Sequence, residues 1–360
     1  MKNWLTYAKR ALAVLLIVAA AALCFLVFLF RNELKTLRTF EKIDDNIMYT
    51  MEYHGDYGLD EFLAQGGASN DQELIDFITK RLLKGLPVKF SAPDLGCSTF
   101  SAQTADGDQI FGRNFDLTYS PLLFVKTTPE NGYASVSAVN LGFLGYGEDK
   151  LPDSFLSQIM TLAAPFVPLD GINEAGLTIA VLKIEDTPTN QTTDKTDITT
   201  TTAIRMILDQ CATVDEAVAL LQQYDMHSSA NSCYHFQIAD ASGASTIVEY
   251  VDNEISILPA KTNFQYATNF LLSPQKYGFP GNGTDRFEIL KAKLEETGGI
   301  LPDEQAAMDL LKAVSQEMHL NSKGKESATQ WSIVYNNTDL TASVITQMQY
   351  HKPAHQFSLK

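Results

Sequence analysis

The longest apolar stretch of the chain lies near its start. Residues 11–30 contain no charged side chain, and their length is close to the roughly 20 residues that a helix needs to cross a bilayer. No small-x-small cleavage site follows before Arg31, which is unlike a cleavable signal peptide. The pattern therefore predicts an uncleaved transmembrane signal anchor at 11–30, behind a basic N-terminus at 1–10. Lysine and arginine flank the stretch on both sides, so charge alone predicts no orientation.

Helical and strand spacings of apolar residues alternate over the rest of the chain. Helical spacing predicts helices at residues 71–84, 154–164, 201–211, 214–224, 286–297 and 302–319. Period-two spacing predicts strands at residues 97–104, 109–115, 133–142, 177–182, 234–240, 245–250, 254–258, 330–335 and 342–350. Residues 170–176 are predicted as a turn and residues 187–202 as an exposed loop. This order of elements predicts an α+β fold with two stacked antiparallel sheets and helices on both outer faces.

Two of these helices have clear start signals. Asn70 is predicted to cap the helix that begins at Asp71. Thr213 is predicted to cap the helix that begins at Val214, with Glu216 completing a capping box. Residues 31–96 are therefore expected to be a packed segment that contains a helix, and not a linker.

A tight hairpin is predicted around Asp106-Gly107, the dipeptide most typical of a two-residue primed turn. With this dipeptide at the turn centre, the antiparallel register places Cys97 opposite Asp116. Arg113 then lies an odd number of residues from Asp116 and faces the other side of the strand unless a bulge intervenes. The hairpin is therefore expected to bring a thiol to a carboxylate.

Composition narrows the function classes. The net charge of −16 at pH 7 argues against a nucleic-acid partner, because phosphate binding requires a basic surface. The six histidines form no ligand cluster and no nucleotide-binding motif is present, so we expect neither a metal nor a cofactor. Cys24 lies in the apolar stretch and Cys97 in the hairpin, which leaves Cys211 and Cys233 as the one plausible disulfide pair. We favour two buried thiols over that disulfide.

Cys97 is a candidate nucleophile, since it follows a glycine at the head of a predicted strand. Cutting the Gly96–Cys97 bond gives Cys97 a free α-amine, whose unperturbed pKa of about 7.7–8.0 suits a base. One residue then supplies both thiol and base. Asp116 beside the amine would hold it, and a nearby Arg113 would stabilise the thiolate. The alternative for Cys97 is a buried, unreactive thiol.

Other candidate positions have both a chemical and a structural interpretation. The turn at 170–176 can aim backbone N–H groups at one point, as an oxyanion hole requires, or can be a plain hairpin turn. The Asn269 amide can donate to a developing oxyanion, although Asn at a strand end is also typical of a turn. His235 can form a Cys-His dyad with Cys97, although a strand histidine is more often a buried side chain with satisfied hydrogen bonds. Arg286 is unusual in the first turn of a helix, where the helix dipole disfavours a cation.

Four ordered motifs resemble the choloylglycine hydrolase branch of the N-terminal-nucleophile hydrolases. That branch includes bile salt hydrolases, penicillin V acylases, acid ceramidase and N-acylethanolamine acid amidase. The motifs are Cys-Ser-Thr-Phe at 97–100 with Gly-Arg-Asn-Phe-Asp at 112–116, Asp-Gly-Ile-Asn-Glu-Ala-Gly-Leu at 170–177, Ala-Thr-Asn at 267–269 and Asp-Arg-Phe at 285–287. Together they extend from residue 97 almost to the end of the chain.

The resemblance implies a role for each candidate site residue. Cys97 is implied as the nucleophile and Gly96–Cys97 as the bond that is cut. Asp116 is implied to orient the amine, Arg113 and Arg286 to support the thiol, and Asn269 and the Asn173 backbone N–H to hold the tetrahedral oxygen.

The resemblance also implies an αββα sandwich with residues 97–360 as the catalytic domain. Residues 31–96 then form a leading segment, as in the acid ceramidase type, where such a segment stays associated after self-cleavage. We expect a single-pass cell-membrane protein, anchored by residues 11–30, with its catalytic domain outside the cytoplasm. The expected activity is hydrolysis of linear amide C–N bonds in small N-acyl substrates through an acyl-enzyme. Conjugated bile acids, penicillin V and fatty acyl amides are substrates of this type.

Two alternatives remain open at this point. One is a Cys-His acyltransferase or hydrolase that works without self-cleavage. The other is a catalytically inactive, anchored binding protein of the same fold.

Overall fold

Two stacked β-sheets form the body of the chain in this computed structural model, which describes residues 2–44, 47–86, 96–321 and 323–360. The predicted leading segment is thus described except for residues 45, 46 and 87–95, which lie outside the described residues. The helices are α1 Lys2–Leu29, α2 Arg31–Arg38, α3 Leu59–Ala64, α4 Asp71–Arg81, α5 Thr200–Gln210, α6 Val214–Leu221, α7 Thr284–Thr297 and α8 Glu304–Ala313. Short 3₁₀ helices cover Leu141–Leu144, Ser157–Phe166 and Ser229–Asn231.

The strands follow the predicted alternation, with several added at the sheet margins. They are β1 Glu41–Asp44, β2 Met48–Tyr53, β3 Gly96–Thr104, β4 Gln109–Leu117, β5 Leu122–Thr127, β6 Ser135–Asn140, β7 Asp170–Asn173, β8 Thr178–Ile184, β9 Thr196–Thr199, β10 Tyr224–His227, β11 Cys233–Ala239, β12 Ser245–Val251, β13 Glu254–Pro259, β14 Gln265–Ala267, β15 Ile300–Leu301, β16 His319–Leu320, β17 Glu326–Asn336, β18 Thr341–Thr346 and β19 His355–Ser358.

The layers are ordered helix, sheet, sheet, helix. The first sheet has the strand order β1-β2-β5-β6-β7-β8-β11-β12-β13, and the second has β14-β3-β4-β17-β18-β19 with β15 and β16 at its margins. Helices α5 and α6 pack on the first sheet, and α7 and α8 pack on the second. Thr99 of β3 donates to Gln237 of β11 across the two sheets, with 2.6 Å between the side-chain oxygens. The predicted αββα sandwich is confirmed.

The leading segment is part of the first sheet. Strand β2 pairs with β5 over six residues, and β1 extends the edge beyond β2. The β2–β5 and β15–β3 pairs are parallel, whereas the other pairs described in the two large sheets are antiparallel. Met48 and Met51 of β2 and Phe62 of α3 are buried in the same core as the strands that follow residue 97. Residues 31–44 and 47–86 are therefore packed, as predicted for this segment.

Both predicted helix caps are present. Asn70 Oδ1 accepts from the Glu73 N–H at 3.1 Å, and Thr213 Oγ1 accepts from the Glu216 N–H at 3.2 Å. Glu216 Oε2 accepts in return from the Ala212 N–H. These bonds satisfy N–H groups that the first helical turn leaves without partners.

Some predicted elements have different limits because of their tertiary contacts. Residues 170–173 form β7 between β6 and β8, and only residues 174–176 turn. The predicted exposed loop at 187–202 contains β9 and the buried start of α5. Helix α8 ends at Ala313, well before the predicted end, because the chain beyond it bonds to β17: the Thr329 N–H donates to Gln316 O at 3.0 Å. Cys211 and Cys233 are free and buried, as favoured from the sequence.

Helix α1 extends away from this body. Its segment Lys9–Leu29, 21 residues long, is long and apolar enough to cross a membrane, and none of it is buried in the protein. A signal sequence near an N-terminus has the same properties.

Candidate active site

The hairpin of β3 and β4 forms as predicted, but with a register that differs by one residue. Cys97 does not lie opposite Asp116, where the prediction placed it. The turn is longer than the predicted two-residue turn, because the Thr104 N–H donates to Asp108 O at 2.8 Å. Gly107 has a φ of +97°, which a three-residue hairpin loop requires at its last position and which glycine adopts without strain.

This shift decides which side chains share a face, because successive residues of a strand point to opposite sides. Gly96 pairs with Asp116, and Arg113 pairs with Thr99, two residues beyond Cys97. Arg113 and Cys97 consequently lie on the same face of the sheet. The bulge that the predicted register required between Asp116 and Arg113 is not needed.

The Cys97 thiol is fully buried between the two sheets. Burial, the largest influence, raises the pKa of the Cys97 thiol, while the positive charge of the neighbouring Arg113 guanidinium lowers it. Arg113 is held in turn by Asp170 of β7, with 3.3 Å between Nε and Oδ2. The Tyr335 hydroxyl donates to Asp170 Oδ1 at 2.5 Å. The first sheet therefore supplies the anchor that fixes the arginine beside the thiol.

Asn269 lies beside the Cys97 backbone. Strand β14 pairs Ala267 with Thr99 in antiparallel register, and two further residues along this register bring Asn269 opposite Cys97. The Cys97 N–H donates to Asn269 Oδ1 at 2.8 Å, and Asn269 Nδ2 donates to Lys183 O at 2.9 Å. The amide thus connects the candidate nucleophile to the end of β8.

Arg286 connects most of the candidate residues. Its Nη1 donates to Cys97 O at 2.5 Å and to Ser98 Oγ at 2.7 Å, and lies 3.3 Å from Asp116 Oδ2. Its Nη2 donates to Asn269 Oδ1 at 2.8 Å. These acceptors stabilise a buried cation in the first turn of α7, where the helix dipole opposes it.

Asp116 lies on the helix side of β4, next to the candidate cleavage junction. Gln316 Nε2 donates to its Oδ2 at 2.8 Å, and Thr329 Oγ1 donates to its Oδ1 at 2.6 Å. A Cβ added at Gly96 would lie 2.7 Å from Gln316 Nε2 and 3.0 Å from Asp116 Cβ. A side chain before Cys97 would therefore displace the Gln316 amide and crowd Asp116.

The thiol and the backbone nitrogen of Cys97 thus have separate partners. Between the sheets, the thiol lies beside Arg113, which Asp170 holds. At the backbone, the Cys97 nitrogen donates to Asn269 and the Cys97 carbonyl oxygen accepts from Arg286, while Asp116, opposite Gly96, lies on the helix side of the sheet. This arrangement can stabilise a thiolate and, independently, hold a nitrogen and its proton.

Asn173 is not brought to this cluster. Its backbone N–H, the predicted oxyanion donor, donates to Leu177 O at 3.0 Å and closes the β7–β8 turn. Its side chain faces α5, where Nδ2 donates to Leu208 O at 3.0 Å and to Cys211 O at 2.7 Å. Asn173 lies three residues, about 10 Å of strand, beyond Asp170 and points to the opposite face.

His235 has both ring nitrogens engaged away from the Cys97 thiol. Its Nδ1 lies 3.1 Å from Glu249 Oε1, and its Nε2 lies 2.8 Å from Thr268 O. Glu249 also accepts the backbone N–H groups of Leu272 and Ser273. The buried pair thus fixes both ends of the short segment that carries Asn269, and a direct Cys-His dyad is absent from the described structure.

Sequence reasoning missed several residues that shape the cluster. Asp170 was inside a recognised motif, but the motif was assigned to a turn, so its inward-facing carboxylate was overlooked. No motif marks Tyr335, Gln316 or Thr329. Strand β17 carries Tyr335 and Thr329 to the site by pairing with β4, and Gln316 is bonded in turn to the Thr329 backbone. The one sequence signal for these contacts was Asp170. An acidic residue on a strand that faces the interior must be paired when it is buried, and Arg113 is a suitable partner.

Comparison with known proteins finds a family match for the central part of the chain. Residues 97–269 match the family model described as linear amide C-N hydrolases, choloylglycine hydrolase family. Penicillin V acylase of Pectobacterium atrosepticum is 29% identical over 196 residues, which cover 46% of this chain and 49% of that protein. The match thus spans about half the length of this curated relative.

Solved structures resemble the fold described above. A variant of the conjugated bile acid hydrolase from Clostridium perfringens superposes with a TM-score of 0.52 at 16% identity, covering 73% of this chain and 92% of the hydrolase. A second variant of the same hydrolase gives the same values. At this identity the likeness supports the fold alone.

Proposed function

We propose that the chain hydrolyses linear amides in N-acyl substrates, because residues 97–269 match the model of the choloylglycine hydrolase family of linear amide C–N hydrolases. The observation that carries the proposal is the convergence of Arg113, Asn269 and Arg286 on Cys97, with Asp116 opposite the residue before it. A thiol with a positive charge beside it and a held nitrogen next to it can act as nucleophile and base together.

The proposed enzyme first frees its own nitrogen. The Cys97 thiolate attacks the Gly96 carbonyl carbon, the C–N bond to Cys97 breaks, and the nitrogen leaves as an amine with the proton. Water then hydrolyses the thioester, which gives Gly96 a carboxylate and returns the thiol. The crowding of Asp116 and Gln316 around Gly96 supports this step, because a bond held between fixed side chains is oriented for attack.

Turnover of a substrate uses the same groups. The Cys97 α-amine accepts the thiol proton, the sulfur attacks the amide carbonyl, and the amine returns the proton to the leaving nitrogen. Water cleaves the resulting acyl-enzyme and releases the acid. Arg113 stabilises the thiolate, while Asp116 and Arg286 hold the region of the amine.

Asn269 serves both the amine and the tetrahedral oxygen in this scheme. Its Oδ1 accepts from the Cys97 nitrogen, which keeps the base in place. Its Nδ2 carries two hydrogens, so the bond to Lys183 O leaves one for the developing oxyanion. For Asn173 we propose a supporting role, holding the β7–β8 turn on α5, because its backbone N–H already has a partner.

The apolar helix α1 is proposed as a membrane anchor, with the catalytic body outside the cytoplasm. Its length, its lack of buried residues and the absence of charge at residues 11–30 support this. The leading segment is proposed to remain attached after cleavage, through β1 and β2 in the first sheet. The amide substrate class is N-acyl, and the relatives named for penicillin V and conjugated bile acid each act on one member of that class.

The proposal is tested on purified full-length protein by intact mass, N-terminal sequencing and amide turnover. A fragment beginning at Cys97 is expected together with release of the amine from an N-acyl substrate. Cys97→Ala should abolish both cleavage and turnover. An uncut chain that hydrolyses amides would contradict the mechanism.

His235→Gln separates the proposal from a Cys-His hydrolase, since glutamine can still donate to Thr268 O and cannot act as a base near neutral pH. We expect normal cleavage and an unchanged pH profile of turnover. Normal cleavage with loss of turnover would favour histidine as the base.

A further inference from the structure

An apolar groove opens on the body directly beside the end of α1. The cavity has a volume of about 250 Å³ and is lined mainly by aliphatic and aromatic side chains from three separate parts of the chain. They include Phe30, Leu34 and Leu37 around α2, Leu86 after α4, and Phe155 and Ile159 at the adjoining 3₁₀ helix. The charged groups in its lining, Lys84 and Glu33, lie 3.4 Å apart as an ion pair.

Large apolar side chains beside this groove are exposed to solvent. Leu86 is 47% exposed and Phe155 44%, and Leu156, which follows Phe155 in the chain, is 76% exposed. Large apolar side chains that cluster on a surface, around a cavity of the same character, are typical of an interaction site. Within the described part of the chain, α1 is the neighbouring element with a comparable apolar surface.

The groove lies at a defined distance from the end of α1. The Phe30 N–H donates to Leu26 O and the Leu34 N–H donates to Phe30 O, both at 2.9 Å, so helical hydrogen bonds cross the junction into α2. At about 1.5 Å per residue, Leu34 lies roughly 6 Å along the helix from Phe30. Leu34 lines the groove, which therefore lies about one helical turn from the end of the apolar span.

We propose that this groove and its exposed rim are a lipid-binding surface, which rests in the outermost acyl-chain region of the bilayer that α1 spans. The inference depends on the proposed membrane anchor, and the occupant is the acyl chains of membrane lipids. Arg31, Lys35 and Arg38 alternate with the groove residues along α2, and their long side chains can extend to the phosphate head groups just above the acyl chains. The body is thereby held against the membrane by its own surface as well as by the helix.

Quenching of tryptophan by lipids brominated in their acyl chains tests the contact. Full-length protein carrying Trp4→Phe retains Trp331, which is buried in the core. Leu156→Trp then adds an indole at the rim, and Ile300→Trp adds one at a position on β15 that is 47% exposed and distant in sequence from the groove. Phe155→Trp provides a second rim probe with a conservative aromatic change.

In vesicles of phosphatidylcholine with phosphatidylglycerol, brominated chains should quench the two rim indoles several-fold more than the one at position 300. Resistance of the protein to extraction by alkaline carbonate would show that it is anchored in the membrane. If the rim indoles in such protein are quenched as weakly as the indole at position 300, the anchor stands and the lipid contact is overturned. A blue-shifted rim indole without quenching would also overturn it, because protein, and not lipid, then covers the groove. Release of the chain from the membrane by carbonate would contradict both the proposed anchor and this inference. The proposed amide hydrolase activity would not be affected by that result.

Discussion

At the scale of single residues, the site depends on which partner each charged group has. Arg113 and Asp170 are fully buried, and each is acceptable there because the other neutralises it. Arg286 similarly lies among oxygens of Cys97, Ser98, Asn269 and Asp116. Both arginines were identified in the sequence from motifs. Which groups each one contacts, the thiol for Arg113 and the Cys97 carbonyl oxygen for Arg286, depends on the tertiary structure.

The effect of Arg113 on the thiol can be measured directly in cleaved protein. Replacing both members of the pair, by Arg113→Gln with Asp170→Asn, removes the positive charge without leaving a buried carboxylate unpaired. The pKa of Cys97 should rise, because the charge that lowers it is gone. Each unit of increase lowers the thiolate fraction about tenfold at a pH below the pKa.

The rate of alkylation by iodoacetamide as a function of pH gives this pKa, and its profile should move to higher pH. Asp170→Asn alone keeps the guanidinium and is the matched control, for which no upward shift is expected. An unchanged profile in the double variant would show that Arg113 does not act on the thiol.

At the scale of elements, the β3–β4 hairpin decides where the site residues lie, and the leading strands β1 and β2 decide how the leading segment is attached to the body. The Asp106-Gly107 dipeptide correctly identified the hairpin, but the length of its loop was set by contacts that the dipeptide does not encode. A one-residue difference exchanged the faces of Arg113 and Asp116 relative to Cys97. Strands β1 and β2 were not predicted at all. Strand β1 is a four-residue edge strand, which leaves little periodic pattern to recognise, and β2 has buried residues at its first two positions, which breaks a strict alternation.

Strand β2 should hold the leading segment on the body after cleavage. Met51 is 1% exposed and faces the core, whereas its neighbour Glu52 is exposed on the same strand. Met51→Ala should cost about 2–5 kcal/mol of stability through the cavity it leaves, and Glu52→Ala should cost little.

Native size-exclusion chromatography of cleaved protein in dilute denaturant measures this attachment. The two fragments should co-elute in the parent and in Glu52→Ala, and separate at a lower denaturant concentration in Met51→Ala. Fragments that separate without denaturant in the parent would contradict an attachment through β2.

At the scale of the whole molecule, the thiol lies deep in the core of an intact chain. Cys97 is inaccessible in the same structure that arranges its partners, so the uncut protein is expected to be a closed precursor. In the proposed mechanism, cleavage before Cys97 would free the chain end next to the thiol and allow the junction to move away.

Gly96→Ala tests this coupling, because its added Cβ would displace the Gln316 amide that donates to Asp116 and would crowd Asp116 itself. Cleavage should slow strongly, and Cys97 should resist iodoacetamide in the uncut chain at neutral pH. Gly147→Ala, where an added Cβ meets nothing within 4 Å, should be cut and alkylated like the parent. Mass spectrometry reports both outcomes, and rapid alkylation of uncut Gly96→Ala would contradict the closed precursor.

The sequence by itself determined what depends on neighbouring residues and on residue chemistry. The apolar span, the capped helices α4 and α6, the hairpin and the thiol after Gly96 all follow from local patterns. The fold class followed as well, because the order of helices and strands and the four motifs point to the same sandwich. Among the predicted site residues, Cys97, Arg113, Asp116, Asn269 and Arg286 lie close together, although Arg113 and Asp116 lie on the opposite faces from those that the predicted register gave them.

Only the tertiary structure decided which groups meet across long separations in the chain. It paired Asp170 with Arg113, brought Gln316 and Thr329 to Asp116, kept Asn173 on α5 and engaged His235 with Glu249 and Thr268. These outcomes depend on register and on the stacking of two sheets. A shift of one residue reverses every face of a strand, and no local pattern in the sequence fixes such a shift.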